Sequence, residues 1–212
     1  MIKSHKIVDS KMLMKRINCQ KCNYPVKTCV CDYLTNKVAN LTKVVILQHP
    51  DEVNLAKNTV RLLQLQLVDI EVVVGETQKD FQKLIERLPT SNTALLYPGD
   101  EAIDVNQCHK LTTPLSHLLV IDGTWKKTRK IIALNPWLHS LQKVSFDLVP
   151  DNQYKIRKAE QPYSLSTLEA VSHFLYVVEG CDKRPFLDLL KGMIKQQTKL
   201  MPDHVKVRYF ED

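Results

Sequence analysis

An alternation of short apolar segments with amphipathic ones, which begins near Leu41, most constrains how this 212-residue chain can fold. The apolar segments are rich in β-branched residues, whereas the segments between them, such as NTVRLLQLQL and TQKDFQKLIERL, have apolar side chains at helical spacing. Strands that alternate with helices need crossover connections, so the pattern predicts an α/β fold with a mainly parallel, buried sheet. The predicted strands are KVVILQ (from Lys43), IEVVV (from Ile70), TALLY (from Thr93), HLLVI (from His117) and KVSFDLV (from Lys143).

The C-terminal third predicts helices rather than further strands. The segment from Ser164 to about Leu200 has the pattern of two helices, which are separated near EGCDKRP. Ser166 and Glu169 have the spacing of a capping box, which gives Glu169 a structural role at a helix start. The exposed amides of that helix start would also suit a carboxylate ligand. We divide the chain into an N-terminal segment, 1–40, and one larger domain, 41–212.

Four of the six cysteines lie in the short segment CQKCNYPVKTCVC, at C-x2-C and C-x-C spacing. Two close pairs of thiolates predict a tetrahedral zinc site, and four thiolates leave no open position, so the zinc would be structural. A redox centre and two disulfides are the alternatives. The segment is too short and polar to bury a core, so metal binding would supply its folding free energy. The predicted ligands are Cys19, Cys22, Cys29 and Cys31, while Cys108 and Cys181 are expected to pack as isolated apolar residues.

Charge and terminal sequence narrow the cellular setting. The first residues, MIKSHKIVDSKMLMKR, are charged throughout, and no apolar run approaches the roughly 20 residues of a membrane span. We therefore expect a cytoplasmic protein without membrane contact, whose thiols stay reduced. The net charge of +7 favours an anionic partner such as nucleic acid, although an indifferent basic surface would explain the net charge equally well.

Polar turns follow three predicted strands: QHPDE the first, YPGDE the third and DGTW the fourth. In open parallel sheets ligands bind beyond the carboxyl ends of the strands, so we expect these turns to meet at one edge. Tyr97, Pro98 and Gly99 predict a tight turn whose glycine would let a ligand approach the backbone, and an ordinary loop turn is the alternative. For His49, hydrogen bonding within its own turn explains the residue as well as a catalytic role does.

The DGTW turn leads into a basic segment, KKTRK. Thr124 is the predicted N-cap of a helix, and cations in the first turns of a helix oppose its dipole. Folding does not require them, so a phosphate backbone would explain them, and a solvated basic face is the alternative. Asp122 would either pair with these cations or face a ligand as an acceptor or proton base. Trp125 is either a core anchor or a platform on which a base stacks.

In this order, the cysteine pairs, QHPDE, YPG, DGTW and RKAEQPYSLSTLEA closely resemble the DTW-domain family, which is named for D-x-T-W. The resemblance runs from Cys19 to about Glu179. It implies a SPOUT-like α/β domain, with a C-terminal knot as a further expectation. It also implies a tRNA-uridine aminocarboxypropyltransferase, which moves the 3-amino-3-carboxypropyl group of S-adenosylmethionine to N3 of a tRNA uridine and releases methylthioadenosine.

The resemblance, together with this chemistry, assigns roles to individual positions. Asp122 is the candidate base or orienting acceptor at uridine N3. The residues expected to hold S-adenosylmethionine are Tyr97, Pro98, Gly99, Asp122, Gly123, Thr124, Trp125, Ser166 and Thr167. The residues expected to contact tRNA phosphates are Lys126, Lys127, Arg129, Lys130, Arg157 and Lys158. No obligate protein partner is expected. The alternatives are a SPOUT-type RNA methyltransferase that uses S-adenosylmethionine, and a non-catalytic, zinc-containing RNA-binding protein.

Overall fold

A computed structural model of the chain describes residues 17–111, 113–147, 154, 165–199, 201–202 and 205–206. The strands of this part of the chain are β1 (Lys43–Gln48), β2 (Ile70–Val74), β3 (Thr93–Leu96), β4 (Ile103–Asp104), β5 (His117–Asp122) and β6 (Gln142–Ser145). The α-helices are α1 (Val60–Gln66), α2 (Gln78–Ile85), α3 (Trp125–Leu134), α4 (Thr167–Glu179) and α5 (Arg184–Thr198). The strands form one sheet in the order β2-β1-β5-β3-β6-β4, and every pair is parallel.

The parallel α/β class is therefore confirmed, and each of the predicted strands is present. The segments IEVVV and KVVILQ form β2 and β1 at the predicted bounds, while β6 ends at Ser145, earlier than predicted. Strand β4 was not predicted, because two residues are too few to show a period. The two C-terminal helices are confirmed as α4 and α5. The C-terminal knot stays a prediction.

Helices cover both faces of the sheet. The strands are apolar at consecutive positions because alternate side chains enter two different cores. One core joins α1, α4 and α5 to one face of the sheet, through Val44, Ile46, Leu118, Val120, Leu63, Phe174 and Leu189. The other joins α2 and α3 to the opposite face, through Val45, Leu47, Leu119, Phe81 and Ile131.

Strands β1 and β5 are neighbours whose connections leave in opposite directions. β1 continues through α1 to β2 on one side, and β5 continues through α3 to β6 on the other. Gln48 and Asp122 pair at the carboxyl ends of these strands. Ligands of open α/β sheets bind where neighbouring connections diverge in this way. The topology therefore marks the ends of β1 and β5 as the place for a site.

The cysteine-rich segment packs against the larger domain. Tyr24 and Val30 are buried in the same core as α4 and α5. Tyr33 lies against α5 at Gly192, where an added Cβ would come within 2.2 Å of the tyrosine Cγ. Glycine is needed at that position because any side chain would collide with the ring. The division of the chain at residue 40 stays a prediction, although the two parts share one core.

Candidate active site at the ends of β1 and β5

Asp122, the last residue of β5, is held by side chains from three other parts of the chain. Its Oδ2 accepts hydrogen bonds from Asn58 Nδ2 at 2.7 Å and Gln48 Nε2 at 2.9 Å. Its Oδ1 accepts one from Thr167 Oγ1 at 2.6 Å. Asp122 is only 6% exposed, and all three donors are neutral. The carboxylate thus connects β1, the loop before α1 and the start of α4, and its described partners are these donors rather than the cations of α3.

Asn58 links this carboxylate to the cysteine-rich segment. Its Oδ1 accepts hydrogen bonds from the Val60 amide at 2.9 Å and from Gln48 Nε2 at 3.3 Å. The backbone carbonyl of Asn58 accepts a hydrogen bond from the Tyr24 hydroxyl at 3.4 Å. Asn58 is 8% exposed, so both ends of its side chain are paired inside the protein. A change in the cysteine-rich segment can therefore reach Asp122 through one residue.

The start of α4 has the predicted capping box. Ser166 Oγ accepts from the Glu169 amide at 3.3 Å, and Glu169 Oε2 accepts from the Ser166 amide at 2.8 Å and hydroxyl at 2.6 Å. The Leu168 amide donates to Thr59 Oγ1 at 3.3 Å. The expectation of exposed amides is therefore wrong for Ser166, Leu168 and Glu169, because groups within the protein already satisfy them. Thr167 contributes its hydroxyl to Asp122 instead.

Two of the four cations of α3 form ion pairs within the protein. Lys127 Nζ lies 2.8 Å from Glu52 Oε1 and 3.4 Å from Asp51 Oδ2. Lys130 Nζ lies 2.9 Å from Glu76 Oε2. The hydrogen bond with Glu52 raises the pKa of Lys127 above its ordinary value. The interpretation that folding has no use for these cations is therefore wrong for Lys127 and Lys130.

The other two cations of α3 point to solvent. Lys126 and Arg129 are exposed, and within the described residues neither forms an ion pair. Two intervening residues, Lys127 and Thr128, turn inward, which follows from the helical period. Arg157 and Lys158, the remaining predicted phosphate contacts, lie outside the described residues.

His49 is part of the same edge, and both of its ring nitrogens have partners. Nδ1 accepts from the Asp51 amide at 3.2 Å, which places the proton of the neutral ring on Nε2. Nε2 then donates to Glu76 Oε1 at 2.8 Å. Hydrogen bonds from Lys130 and His49 hold the pKa of Glu76 below its ordinary value. The hydrogen-bonding interpretation of His49 is confirmed.

Two aromatic rings face each other on the β3 side of Asp122. The ring centroids of Tyr97 and Trp125 are 6.3 Å apart, with an angle of 60° between the planes. Trp125 is half-buried at the start of α3 and belongs to neither core, so the core-anchor interpretation is wrong. The other tryptophan, Trp137, packs against the core formed with α2 and α3. Thr124 caps α3 as predicted, and its hydroxyl accepts from the Lys127 amide at 3.4 Å.

The YPG segment does not itself form the predicted turn. The Tyr97 amide donates to the Val144 carbonyl at 3.0 Å, which extends the pairing of β3 with β6. The turn comes later, where the Ala102 amide donates to the Gly99 carbonyl at 2.9 Å. Pro98 and Gly99 are exposed beside the two aromatic rings.

The sulfur atoms of the four clustered cysteines lie close enough together to bind one metal ion. Their sulfur atoms all lie within 4.8 Å of one another, with Cys19–Cys31 at 3.6 Å and Cys22–Cys29 at 3.7 Å. Zinc–sulfur bonds of about 2.3 Å require tetrahedral edges of about 3.8 Å, so zinc fits this donor set. Backbone amides of Cys22 and Lys21 lower the pKa of Cys19 to about 6, which favours the thiolate at this one position, whereas burial raises the pKa of Cys31 above its ordinary value. Cys108 is buried and Cys181 packs beside the core, as predicted.

A comparison with protein families identifies the chain. The family described as the DTW domain matches residues 16–198, which is most of the sequence. The chain belongs to the DTW domain family. The D-x-T-W motif that names the family is formed here by Asp122, Gly123, Thr124 and Trp125, at the end of β5 and the start of α3.

Three curated relatives of this chain are named tRNA-uridine aminocarboxypropyltransferases. A tRNA-uridine aminocarboxypropyltransferase 2 from Drosophila melanogaster is 32% identical over an alignment of 204 positions, which covers 92% of this chain and 75% of the fly protein. A protein of the same name from Macaca fascicularis is 31% identical over 78% of this chain and 57% of its own length. tRNA-uridine aminocarboxypropyltransferase A from Arabidopsis thaliana is 24% identical over 88% of this chain and 83% of its own. No solved structure has significant similarity to the chain.

The DTW carboxylate depends on two side chains that sequence reasoning did not select. Gln48 lies at the end of a buried strand, directly before His49, and a polar residue there was an available signal. Asn58 lies in the loop before α1, and no local sequence pattern marks it, because its role exists only through contact with Asp122.

None of the helices in the described part of the chain combines the length and the apolar composition that a membrane span needs. The cytoplasmic location stays a prediction.

Proposed function

We propose that this protein transfers the 3-amino-3-carboxypropyl group of S-adenosylmethionine to N3 of a uridine in tRNA and releases methylthioadenosine. The names of its relatives support this proposal. One structural observation carries it: the DTW carboxylate, Asp122, lies where the connections of β1 and β5 diverge, fixed by donors from three parts of the chain. Such a site binds ligands between the diverging connections.

The reaction is a displacement at carbon. Uridine N3 forms a bond to the γ-carbon of the transferred group, and the bond from that carbon to sulfur breaks. The sulfonium leaves as the neutral thioether of methylthioadenosine, and the N3 proton passes to a base or to water. A sulfonium is a good leaving group, so the protein chiefly has to hold N3 in line with the γ-carbon rather than with the methyl group.

Asp122 suits the orienting role better than the role of base. A base needs access to the proton that it removes, and three donors already surround the two oxygens of this carboxylate. Its effect is to hold Gln48, Asn58 and Thr167 in one arrangement around the reacting groups. The aspartate is then a positioning residue, whose loss disturbs several parts of the site at once.

The aromatic pair on the β3 side suits the adenosine of S-adenosylmethionine. Tyr97 and Trp125 offer half-buried ring surfaces on which an adenine can pack. The neighbouring backbone, at Pro98, Gly99, Gly123 and Thr124, would complete this part of the site. Ser166 would support the start of α4 through the capping box, and Thr167 would face the transferred group.

The outer face of α3 suits the tRNA backbone. Lys126 and Arg129 project to solvent without a described ion pair, so phosphates need not displace an internal partner. Lys127 and Lys130, which already have acidic partners, would add to the positive field of the same helix. Arg157 and Lys158 remain part of the proposal. The cysteine cluster would hold a structural zinc ion through Cys19, Cys22, Cys29 and Cys31.

The test is the identity of the nucleoside product. The protein is incubated with unmodified tRNA and S-adenosylmethionine, and the digested nucleosides and the released small molecule are identified by mass spectrometry. We expect an aminocarboxypropyl uridine and methylthioadenosine. A methylated nucleoside with S-adenosylhomocysteine would assign the methyltransferase alternative, and tRNA binding without either product would assign the non-catalytic one.

A further inference from the structure

A cleft of about 390 Å³ opens between the cysteine-rich segment and α1, beside the ends of β1 and β5. Its volume lies within the range of about 300–1,000 Å³ that is typical of small-ligand sites. The roles proposed above for S-adenosylmethionine and for the tRNA backbone do not use this cleft. Three parts of the chain form its walls. They contribute Lys21, Cys22 and Asn23 from the cysteine-rich segment, Gln48, Asn54 and Asn58 from the end of β1 and the loop that follows it, and Arg61 and Gln64 from α1.

The lining of this cleft combines carboxamides with cations. Five of its side chains are Asn or Gln, two are cations, and none of the described residues that line it is acidic. A carboxamide donates and accepts hydrogen bonds, which matches the edge of a uracil, with its two carbonyl oxygens and one N–H. Two cations without an acidic partner favour phosphate. This combination fits a nucleotide better than it fits an amino acid or an apolar ligand.

The two cations are available to a ligand. Lys21 is exposed, and the guanidinium of Arg61 lies 4.7 Å from the ring centroid of Tyr24. Neither forms an ion pair within the described residues. This contact with the ring of a buried tyrosine restrains the guanidinium group, whose N–H groups can bind an anion.

The cleft is next to Asp122 on the side opposite to the aromatic pair. Gln48 and Asn58 line the cleft and donate directly to the carboxylate of Asp122. Tyr97 and Trp125 lie at the ends of β3 and β5, and the strand order places β5 between β1 and β3. Two substrates bound on these two sides would meet near Asp122, as a transfer between them requires.

We infer that the cleft between the cysteine-rich segment and α1 binds the target uridine nucleotide of the RNA. The exposed carboxamides of Asn23, Asn54 and Gln64 contact the edge of the base, and Lys21 and Arg61 contact its phosphate. The inference rests on the proposed function and adds to it the location of the RNA substrate. It also gives the cysteine-rich segment a direct role, because that segment forms one wall of the site.

The first experiment compares two charge reversals in the cysteine-rich segment. Lys21→Glu alters the cleft, whereas Lys27→Glu alters an exposed lysine of the same segment that does not line it. We expect Lys21→Glu to raise the KM for tRNA at least about tenfold, with an unchanged KM for S-adenosylmethionine. Lys27→Glu should leave both constants near the wild-type values. An unchanged KM for tRNA in Lys21→Glu would overturn the inference while the proposed function stood.

The second experiment does not depend on turnover. A tRNA transcript with 4-thiouridine in place of uridine is irradiated with the wild-type protein, and the cross-linked peptides are mapped by mass spectrometry. Cross-links within 21–23 or 58–64 would support the inference, and cross-links confined to α3 and the aromatic pair would overturn it. A wild-type protein that forms no aminocarboxypropyl uridine would defeat the proposed function, yet the cross-link map would still locate the nucleotide.

Discussion

At the scale of single residues, the pairing of one buried carboxylate organises the site. Asp122 has no described cation as a partner, and its charge is stabilised by the dipoles of Gln48, Asn58 and Thr167. A carboxylate only accepts hydrogen bonds, so it can satisfy all three donors together. A neutral amide in its place has one oxygen and would direct its own N–H groups at one of these donors.

Replacing Asp122 with Asn should therefore affect both stability and catalysis. We expect the free energy of unfolding to fall by about 1–3 kcal/mol, because a buried donor loses its acceptor. We also expect a large loss in the transfer rate with near-normal tRNA binding. Urea denaturation and single-turnover assays measure the two effects. Asp51→Asn, at an acid whose side chain is 70% exposed, is the matched control and should change stability by less than about 0.5 kcal/mol.

Thr167 allows a finer test of the same hydrogen-bond set. Thr167→Val removes the hydroxyl that donates to Asp122 but keeps the branched shape of the side chain. We expect a loss of about 1 kcal/mol in unfolding free energy and a lower rate constant for transfer. Thr167→Ser keeps the hydroxyl and should retain most of the activity. Equal activity in the two variants would contradict an orienting role for this hydrogen bond.

At the scale of elements, α3 separates its cations by direction. Lys127 and Lys130 turn toward acids in the loops after β1 and β2, and so stabilise the packing of α3 against these loops. Lys126 and Arg129 face solvent, where cations near a helix start are unfavourable by a few tenths of a kcal/mol. One basic sequence motif thus serves two purposes, internal pairing and the proposed binding of RNA.

Two double variants of α3 distinguish these purposes. Lys126→Ala with Arg129→Ala should leave stability within about 0.5 kcal/mol of the wild type. In tRNA binding, the slope of log affinity against log salt should become shallower by about 0.7–0.9 for each phosphate that the variant no longer neutralises. Lys127→Ala with Lys130→Ala should instead destabilise the protein by at least about 1 kcal/mol, because Glu52 is left buried without its partner. An unchanged salt slope in the first variant would count against phosphate binding by this helix face.

Helix α5 needs a glycine, Gly192, at the position where the cysteine-rich segment packs against it. Gly192→Ala would place a Cβ within 2.2 Å of the Tyr33 ring, and overpacking of this kind costs about 1–3 kcal/mol. We expect a lower melting temperature, although alanine is the better helix former. Gly99→Ala is the control, since its added Cβ meets only the Lys143 side chain, at 3.6 Å. Equal melting temperatures in the two variants would contradict the tight docking.

At the scale of the whole molecule, the metal segment, the core and the site form one connected unit. Tyr24 is buried with α5 and donates its hydroxyl hydrogen bond to Asn58, which in turn donates to Asp122. Burial raises the pKa of Tyr24 to about 12, so its hydroxyl stays protonated as a donor across the neutral pH range. Loss of the metal should therefore reach the site as well as the fold.

Removal of the metal tests this connection. We expect about one zinc ion per wild-type chain, and none in Cys22→Ser. Cys22→Ser should also show a lower melting temperature and a lower transfer rate, because the hydrogen bond from Tyr24 to Asn58 breaks when the segment unfolds. Cys181→Ser, at a cysteine outside the cluster, should keep the metal and both properties. Metal analysis and thermal denaturation measure the outcome, and a folded, metal-free wild-type protein would refute the zinc site.

The sequence alone determined the features that depend on local spacing. The period of the apolar residues identified the strands and the parallel α/β class, because a strand or helix is specified by residues within a few positions of one another. The capping box of Ser166 and Glu169, the N-cap at Thr124 and the cysteine cluster are local patterns of the same kind. The resemblance to the DTW family added the order in which such patterns occur.

Only the tertiary structure decided how the polar side chains are paired. Asp122 meets Gln48, Asn58 and Thr167 across 74, 64 and 45 residues of chain, and Lys127 meets Glu52 across 75. These pairings follow from the order of the strands, which places β5 beside β1 although β2, β3 and β4 lie between them in the chain. Local periodicity carries no information about the strand order, because the strand order is set by how the helices cover both faces of the sheet.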